Sequence, residues 1–266
     1  MNNNPIGIFD SGIGGLTVAN AIRQVMPNES IVYFGDTAHL PYGDKSPELI
    51  INYSKSISDF LLTKRCKIIV IACNTASAHA YEAVKKHLSH KIEVIDVINP
   101  VVEYVAKNYS NKKVGIIGTK GTIQSNVYEK KLSQLNANIQ TTSLATGLFA
   151  SMIEEGFINN AVSKAVIKEY FSIPGFRDID ALILGCTHYP LIKDEINDFF
   201  EDSVEVIDTA GIVAQYLKNK LIELNLNTSQ TKPSEEFYIS DSTPYFEKVA
   251  GAFFKGTIQL QMASIW

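Results

Sequence analysis

Short runs of β-branched and other apolar residues, each closed by a polar or glycine-bearing turn, alternate with longer segments of helical spacing. The short runs predict strands at IGIF (6–9), IVYF (31–34), IIVIA (68–72), IEVI (92–95), VGIIG (114–118), IQTTSL (139–144), ALILG (181–185) and VEVI (204–207). A last run, FYIS (237–240), reads as an edge strand. Apolar residues at i, i+3 and i+4 predict helices over Pro47–Leu62, Ala76–Leu88, Thr122–Leu135, Ala161–Phe171 and Gly211–Leu224. Alternating strand and helix means an α/β fold with mostly parallel sheet. Strands buried on both faces read as continuous apolar runs, as these do.

The pattern also repeats. IGIFDSGIGG (6–15) has a counterpart in VGIIGTKGTI (114–123), and the strand-end cysteine of IIVIACNTAS has one in ALILGCTHYP at nearly the same offset. Two pseudo-symmetric three-layer α/β domains are therefore expected. Residues 1–97 with 208–266 would form the one carrying Cys73, and 98–207 the one carrying Cys186. The expected hinges lie near Val97–Pro100 and Asp208–Gly211, with the active site in the cleft between the domains.

Composition narrows the function. The 266 residues are 45% hydrophobic and 20% charged, with net charge −4 and no basic run beyond a pair, which argues against nucleic acid as the main partner. The N-terminus MNNNPIGIFD lacks a charged lead and an apolar core, and no stretch approaches roughly 18 uninterrupted apolar residues. A cytoplasmic protein without membrane association is expected. In that compartment the three cysteines argue against a disulfide framework.

In open α/β sheets, ligands bind beyond the carboxyl ends of strands, beside helix N-termini. Those ends here carry Asp10-Ser11-Gly12, Gly35-Asp36-Thr37 leading to Pro41-Tyr42-Gly43, Cys73-Asn74-Thr75, Gly118-Thr119-Lys120-Gly121 and Cys186-Thr187-His188-Tyr189-Pro190. The glycine-rich FDSGIGGLTV matches neither nucleotide-loop pattern, because Thr17 stands where a third glycine belongs and Asp10 would face the phosphates. Cys66, just before its strand, reads as a small core hydrophobe. Cys73 and Cys186 occupy equivalent strand ends with a helix expected after each, a setting that lowers a thiol's pKa. Three chemistries use such a pair. Zinc could take Cys73, Cys186 and His188, although the C-x-H spacing is short and no C-x-x-C knuckle is present. A nucleophile would use one thiol and leave the other idle. Two thiols facing opposite sides of one carbon could remove and return a proton, inverting a stereocentre. Plain structural roles are open to the neighbouring polar residues: Asp10 as a helix cap, His188 bonded to a carbonyl, Glu154 and Glu155 at a solvated helix end, Tyr42-Gly43 as a turn.

The segments FDSGIGGLTV, GDTAHLPYG, ACNTASA, GTKGTIQS, LFASMIEEG and LGCTHYPLI, in this order, resemble glutamate racemase from about residue 6 to about 215. Related aspartate racemases share the paired cysteines but typically lack the H-Y-P after the second. The resemblance implies cofactor-independent interconversion of L- and D-glutamate, with D-glutamate supplied to peptidoglycan, no metal and a homodimer. It implies that Cys73 deprotonates D-glutamate and Cys186 deprotonates L-glutamate. Asp10 matches the acid assisting the first thiol, and His188 with Glu154 the assistants of the second. Asp10-Ser11, Tyr42-Gly43, Asn74-Thr75 and Thr187-His188 match the substrate-binding pairs. Aspartate racemase and a cysteine-nucleophile enzyme are the rivals. The chain departs from the family at His39, where arginine is commoner, and at ATGLFASM, which lacks the family's proline-bearing lead-in to Glu154.

Overall fold

A computed structural model describes residues 2–89, 91–135, 138–256 and 258–266. The strands are β1 (Ile6–Asp10), β2 (Ile31–Gly35), β3 (Ile68–Ile71), β4 (Glu93–Asp96), β5 (Lys113–Gly118), β6 (Gln140–Ala145), β7 (Ala181–Gly185), β8 (Glu205–Ile207), β9 (Glu235–Ile239) and β10 (Leu260–Met262). They form two sheets, one ordered β10-β9-β2-β1-β3-β4 and the other β6-β5-β7-β8. Every described pairing is parallel. The apolar central strands β1, β2, β3 and β7 are buried along their whole length, whereas the polar QTTSLA of β6 takes a half-exposed edge. FYIS is not an edge: β9 lies between β2 and β10, and the short β10, which has no strong apolar pattern, is outermost.

The helices are α1 (Leu16–Val25), α2 (Pro47–Thr63), α3 (Asn74–His87), α4 (Asn99–Asn108), α5 (Lys120–Gln124), α6 (Val127–Gln134), α7 (Leu148–Glu154), α8 (Ala161–Phe171), α9 (Lys193–Phe199), α10 (Thr209–Glu223) and α11 (Pro244–Phe253). Local chemistry sets several starts. Ser46 caps α2 by accepting from the Leu49 N–H, with Pro47 in the first turn, and Asn160 and Ser163 form a reciprocal capping box on α8. The helix expected over Thr122–Leu135 is broken into α5 and α6. Asn126 between them is left-handed at φ 52°, a conformation that asparagine tolerates better than most residues.

Alternation along the first sheet splits its apolar residues between two faces. Phe9, Val32, Phe34, Ile69 and Ile71 pack with Ile50, Ile57 and Leu61 of α2 and Ala76, Ala80 and Val84 of α3. Ile6, Ile8, Ile31, Tyr33, Ile68 and Val70 belong to a cluster with α1 and α10 that continues into the core of the second sheet. After β8 the chain returns: α10 packs on α1 and α4, and β9 joins β2. Both sheets thus present the carboxyl ends of their strands toward a shared cleft.

Candidate active site

A cavity of about 480 Å³ lies at that cleft. The first sheet's strand ends contribute Ser11, Tyr42, Gly43, Cys73, Asn74 and Thr75, and the second sheet's contribute Thr119, Glu154, Cys186, Thr187 and His188. A larger open hollow of about 1110 Å³, between α4, β8 and α10, contains none of the residues singled out in the sequence for chemistry.

Cys73 is the N-cap of α3. Its sulfur accepts from the Ala76 N–H at 3.4 Å, and its thiol donates to Ser11 Oγ at 3.7 Å. The helix start does not lower this thiol as the sequence suggested. Burial pushes it up to about 12, the neighbouring Asp10 charge adds to the rise, and the Ala76 and Ser11 hydrogen bonds offset only part. A charge on Cys186 raises it further, so the two sulfurs sense each other across the cavity.

Asp10, the last residue of β1, has no exposed surface. Its Oδ2 accepts from the N–H groups of Gly12 (3.1 Å) and Gly15 (3.0 Å), while Oδ1 has no protein partner among the described residues. Burial raises this carboxyl above the ordinary range, against the opposing pull of His188 and of the Gly15, Gly12 and Ser11 amides. Close approach requires the glycine: a Cβ on Gly15 would lie 2.5 Å from Asp10 Cβ.

On the opposite wall, Cys186 Sγ lies 3.7 Å from His188 Nδ1, and His188 Nε2 lies 2.9 Å from Glu154 Oε1 at the end of α7. Burial alone would pull the imidazole down. The Cys186 and Glu154 side chains at its two nitrogens outweigh burial and push it up to about 10. The segment after Cys186 is a turn and a 3-10 helix, Tyr189–Ile192, so this thiol does not cap an α-helix as Cys73 does. The altered lead-in ATGLFASM still delivers Glu154 to the imidazole.

Of the pairs expected to bind substrate, all but the fully buried Asp10 line the cavity, though not all by their side chains. The Tyr42 hydroxyl donates to Asp36 Oδ2 at 2.6 Å, and Asp36 also takes bonds from His39 (2.8 Å) and Ser240 (2.8 Å). His39 stacks on Tyr53 and meets Trp266 edge-on, so it supports the Tyr42 turn and does not line the cavity. The Asn74 amide oxygen accepts from the Tyr128 hydroxyl at 2.7 Å. Thr75 Oγ1 lies 2.8 Å from Thr119 Oγ1 and 3.2 Å from Thr122 Oγ1. Thr187 lines the cavity, and its carbonyl accepts from the Thr17 hydroxyl at 2.9 Å. Thr119, Thr122, Tyr128 and Asp36 were absent from the candidate residues. Asp36 and Thr119 stood in strand-end turns already noted; nothing local marked Tyr128.

The Asp/Glu/Hydantoin racemase family model matches residues 16–217. A glutamate racemase of Geobacter metallireducens is 41% identical over 259 residues, covering 95% of this chain and 93% of the relative. One of Streptococcus equi subsp. equi is 38% identical over the whole of both chains. The crystal structure of glutamate racemase from Francisella tularensis in complex with D-glutamate superposes with a TM-score of 0.93 at 41% identity, over 100% of this chain and 99% of that one. The fold, the paired strand-end thiols and these likenesses agree: the chain belongs to the Asp/Glu/Hydantoin racemase family, among its glutamate racemases.

Proposed function

We propose that the cleft interconverts L- and D-glutamate by cofactor-independent two-base racemisation, with Cys73 and Cys186 as the bases. The observation that carries this is a pair of thiols from two sheets in one cavity, each with its own helper. Asp10 serves Cys73, and the Glu154–His188 pair serves Cys186. With D-glutamate bound, the Cys73 thiolate takes the Cα proton and the Cys186 thiol returns one to the opposite face. Cys73 ends as thiol, Cys186 as thiolate, and the product is L-glutamate. From L-glutamate the roles reverse, with no net oxidation or group transfer.

The α-proton is weakly acidic, so the site must stabilise the carbanion itself. Ser11, Asn74, Thr75 and Thr187, with the Tyr42-Gly43 turn and amides at the start of α3, hold the two carboxylates and the developing enolate charge. Burial favours a protonated Cys73 at rest, while a cationic His188 beside Cys186 is the partner a thiolate needs. A nucleophile mechanism leaves one thiol and its helper without a role. Zinc ligation by His188 would have to displace Cys186 or Glu154 from its ring nitrogens. Aspartate is shorter by one methylene, which withdraws its distal carboxylate by about 1.3 Å. Family membership extends the reading to a cytoplasmic homodimer that supplies D-glutamate to peptidoglycan, built from one domain of residues 1–97 and 208–266 and another of 98–207.

The test is the circular dichroism of L-glutamate in D₂O with the purified protein, no cofactor or metal added. Decay to a racemate with deuterium at Cα is expected. Decay with aspartate alone would move the protein to the neighbouring activity, and a flat signal with both would sink two-base racemisation.

A further inference from the structure

The helper of Cys186 is held from the other half of the molecule. The Thr17 hydroxyl, in the first turn of α1, lies 2.9 Å from the Gly14 carbonyl and 2.9 Å from the Thr187 carbonyl. The Gly14 bond is an ordinary helix-start contact; the Thr187 bond joins the two halves one residue from His188. A hydroxyl has a single proton, so the two carbonyls share it and the turn is tied to both. At Gly14 the fit is closer still. A Cβ there would lie 2.4 Å from His188 Cε1 and Nδ1 and 2.6 Å from Thr187 Oγ1. The bare glycine therefore defines the floor on which the imidazole rests. A third contact comes from α11, where the Phe253 ring meets the imidazole edge-on with centroids 5.2 Å apart. Buried Phe253 leaves the ring little room to swing away from Cys186.

We propose that Gly14, Thr17 and Phe253 are positioning residues for the second base. By fixing the His188 ring from the first half, they set its reach to Cys186. The same turn seats Asp10 through the Gly12 and Gly15 amides, so one loop carries the helper of the first thiol and the support of the second. This inference rests on the two-base reading.

Because the equilibrium constant of a racemisation is one, kcat/KM must change equally in both directions, and the evidence lies in isotope effects. Cys186 removes the proton from L-glutamate, so a weakened second base makes that step more rate-limiting. With Thr17→Val, a change that keeps the shape and removes the hydroxyl, kcat/KM should fall about 2- to 10-fold, the worth of one hydrogen bond. Gly14→Ala should cost on the order of 100-fold, as expected for a misplacement near 1 Å. In both, and in Phe253→Leu, the α-deuterium effect measured from L-glutamate should rise and that from D-glutamate fall. Thr17→Ser should restore the wild-type values. Lower kcat/KM with both isotope effects unchanged, or a rise on the D side, would overturn the positioning role. An inactive wild-type protein would instead count against the two-base reading itself. If Gly14→Ala does not fold, the Thr17 pair and Phe253→Leu decide the matter alone.

Discussion

Glu154 acts on the electrostatics of Cys186 through the ring that lies between them. It meets His188 Nε2, while the other ring nitrogen faces Cys186, and these two contacts hold the imidazole near 10 despite burial. The carboxylate stabilises the charged ring, so Glu154→Gln must let the pKa fall. The alkaline limb of kcat/KM, expected near pH 10 in the wild type, should move to lower pH in the variant, equally for both enantiomers. An unmoved limb would show that Glu154 does not tune this base. Cys73 and Cys186 were legible because they follow strands at repeated positions of the two halves, whereas Asp10 and His188 have no counterpart in the repeat and stood out through the family resemblance. Thr17, Thr122 and Tyr128 were not legible, since their partners Thr187, Thr75 and Asn74 lie in the opposite half and only packing reveals them.

At the level of elements, most strands could be placed from their apolar runs, but helix boundaries could not. The period of Thr122–Leu135 runs through Asn126 without interruption, because one left-handed residue leaves the apolar spacing intact. That residue turns α6 so that Tyr128 reaches Asn74 at the start of α3. Likewise α3 starts earlier than its period suggested, since Cys73 acts as the cap and Asn74 and Thr75 already lie in the first turn. Asn126→Val should therefore destabilise the fold by about 1–2 kcal/mol, whereas Asn126→Gly should stay within about 1 kcal/mol of wild type. Urea midpoints at constant m distinguish these; equal midpoints for the two variants would contradict the conformational argument.

For the molecule as a whole, the two halves share an apolar cluster and are tied at the cleft by Thr17 with Thr187 and Thr75 with Thr119. The charged imidazole at this junction also bears on stability. His188 has an unfolded pKa near 6.5 and a folded one of about 10, so between those values the native state binds more protons than the unfolded chain. Its contribution is complete below 6.5 and is lost as pH rises through 10. Cys73, raised from 9.0 to about 12, adds a loss of the same sign at higher pH. The melting temperature should accordingly fall as pH rises across this window, by about 2–4 °C for each kcal/mol lost. Glu154→Gln should flatten the slope between pH 6.5 and 9, and Cys73→Ser should leave that part in place and flatten only the part above 9. Scans of the three proteins at matched ionic strength separate the contributions. A wild-type melting temperature that is flat across the window, or a slope unchanged by Glu154→Gln, would mean that the charge on His188 is not coupled to folding.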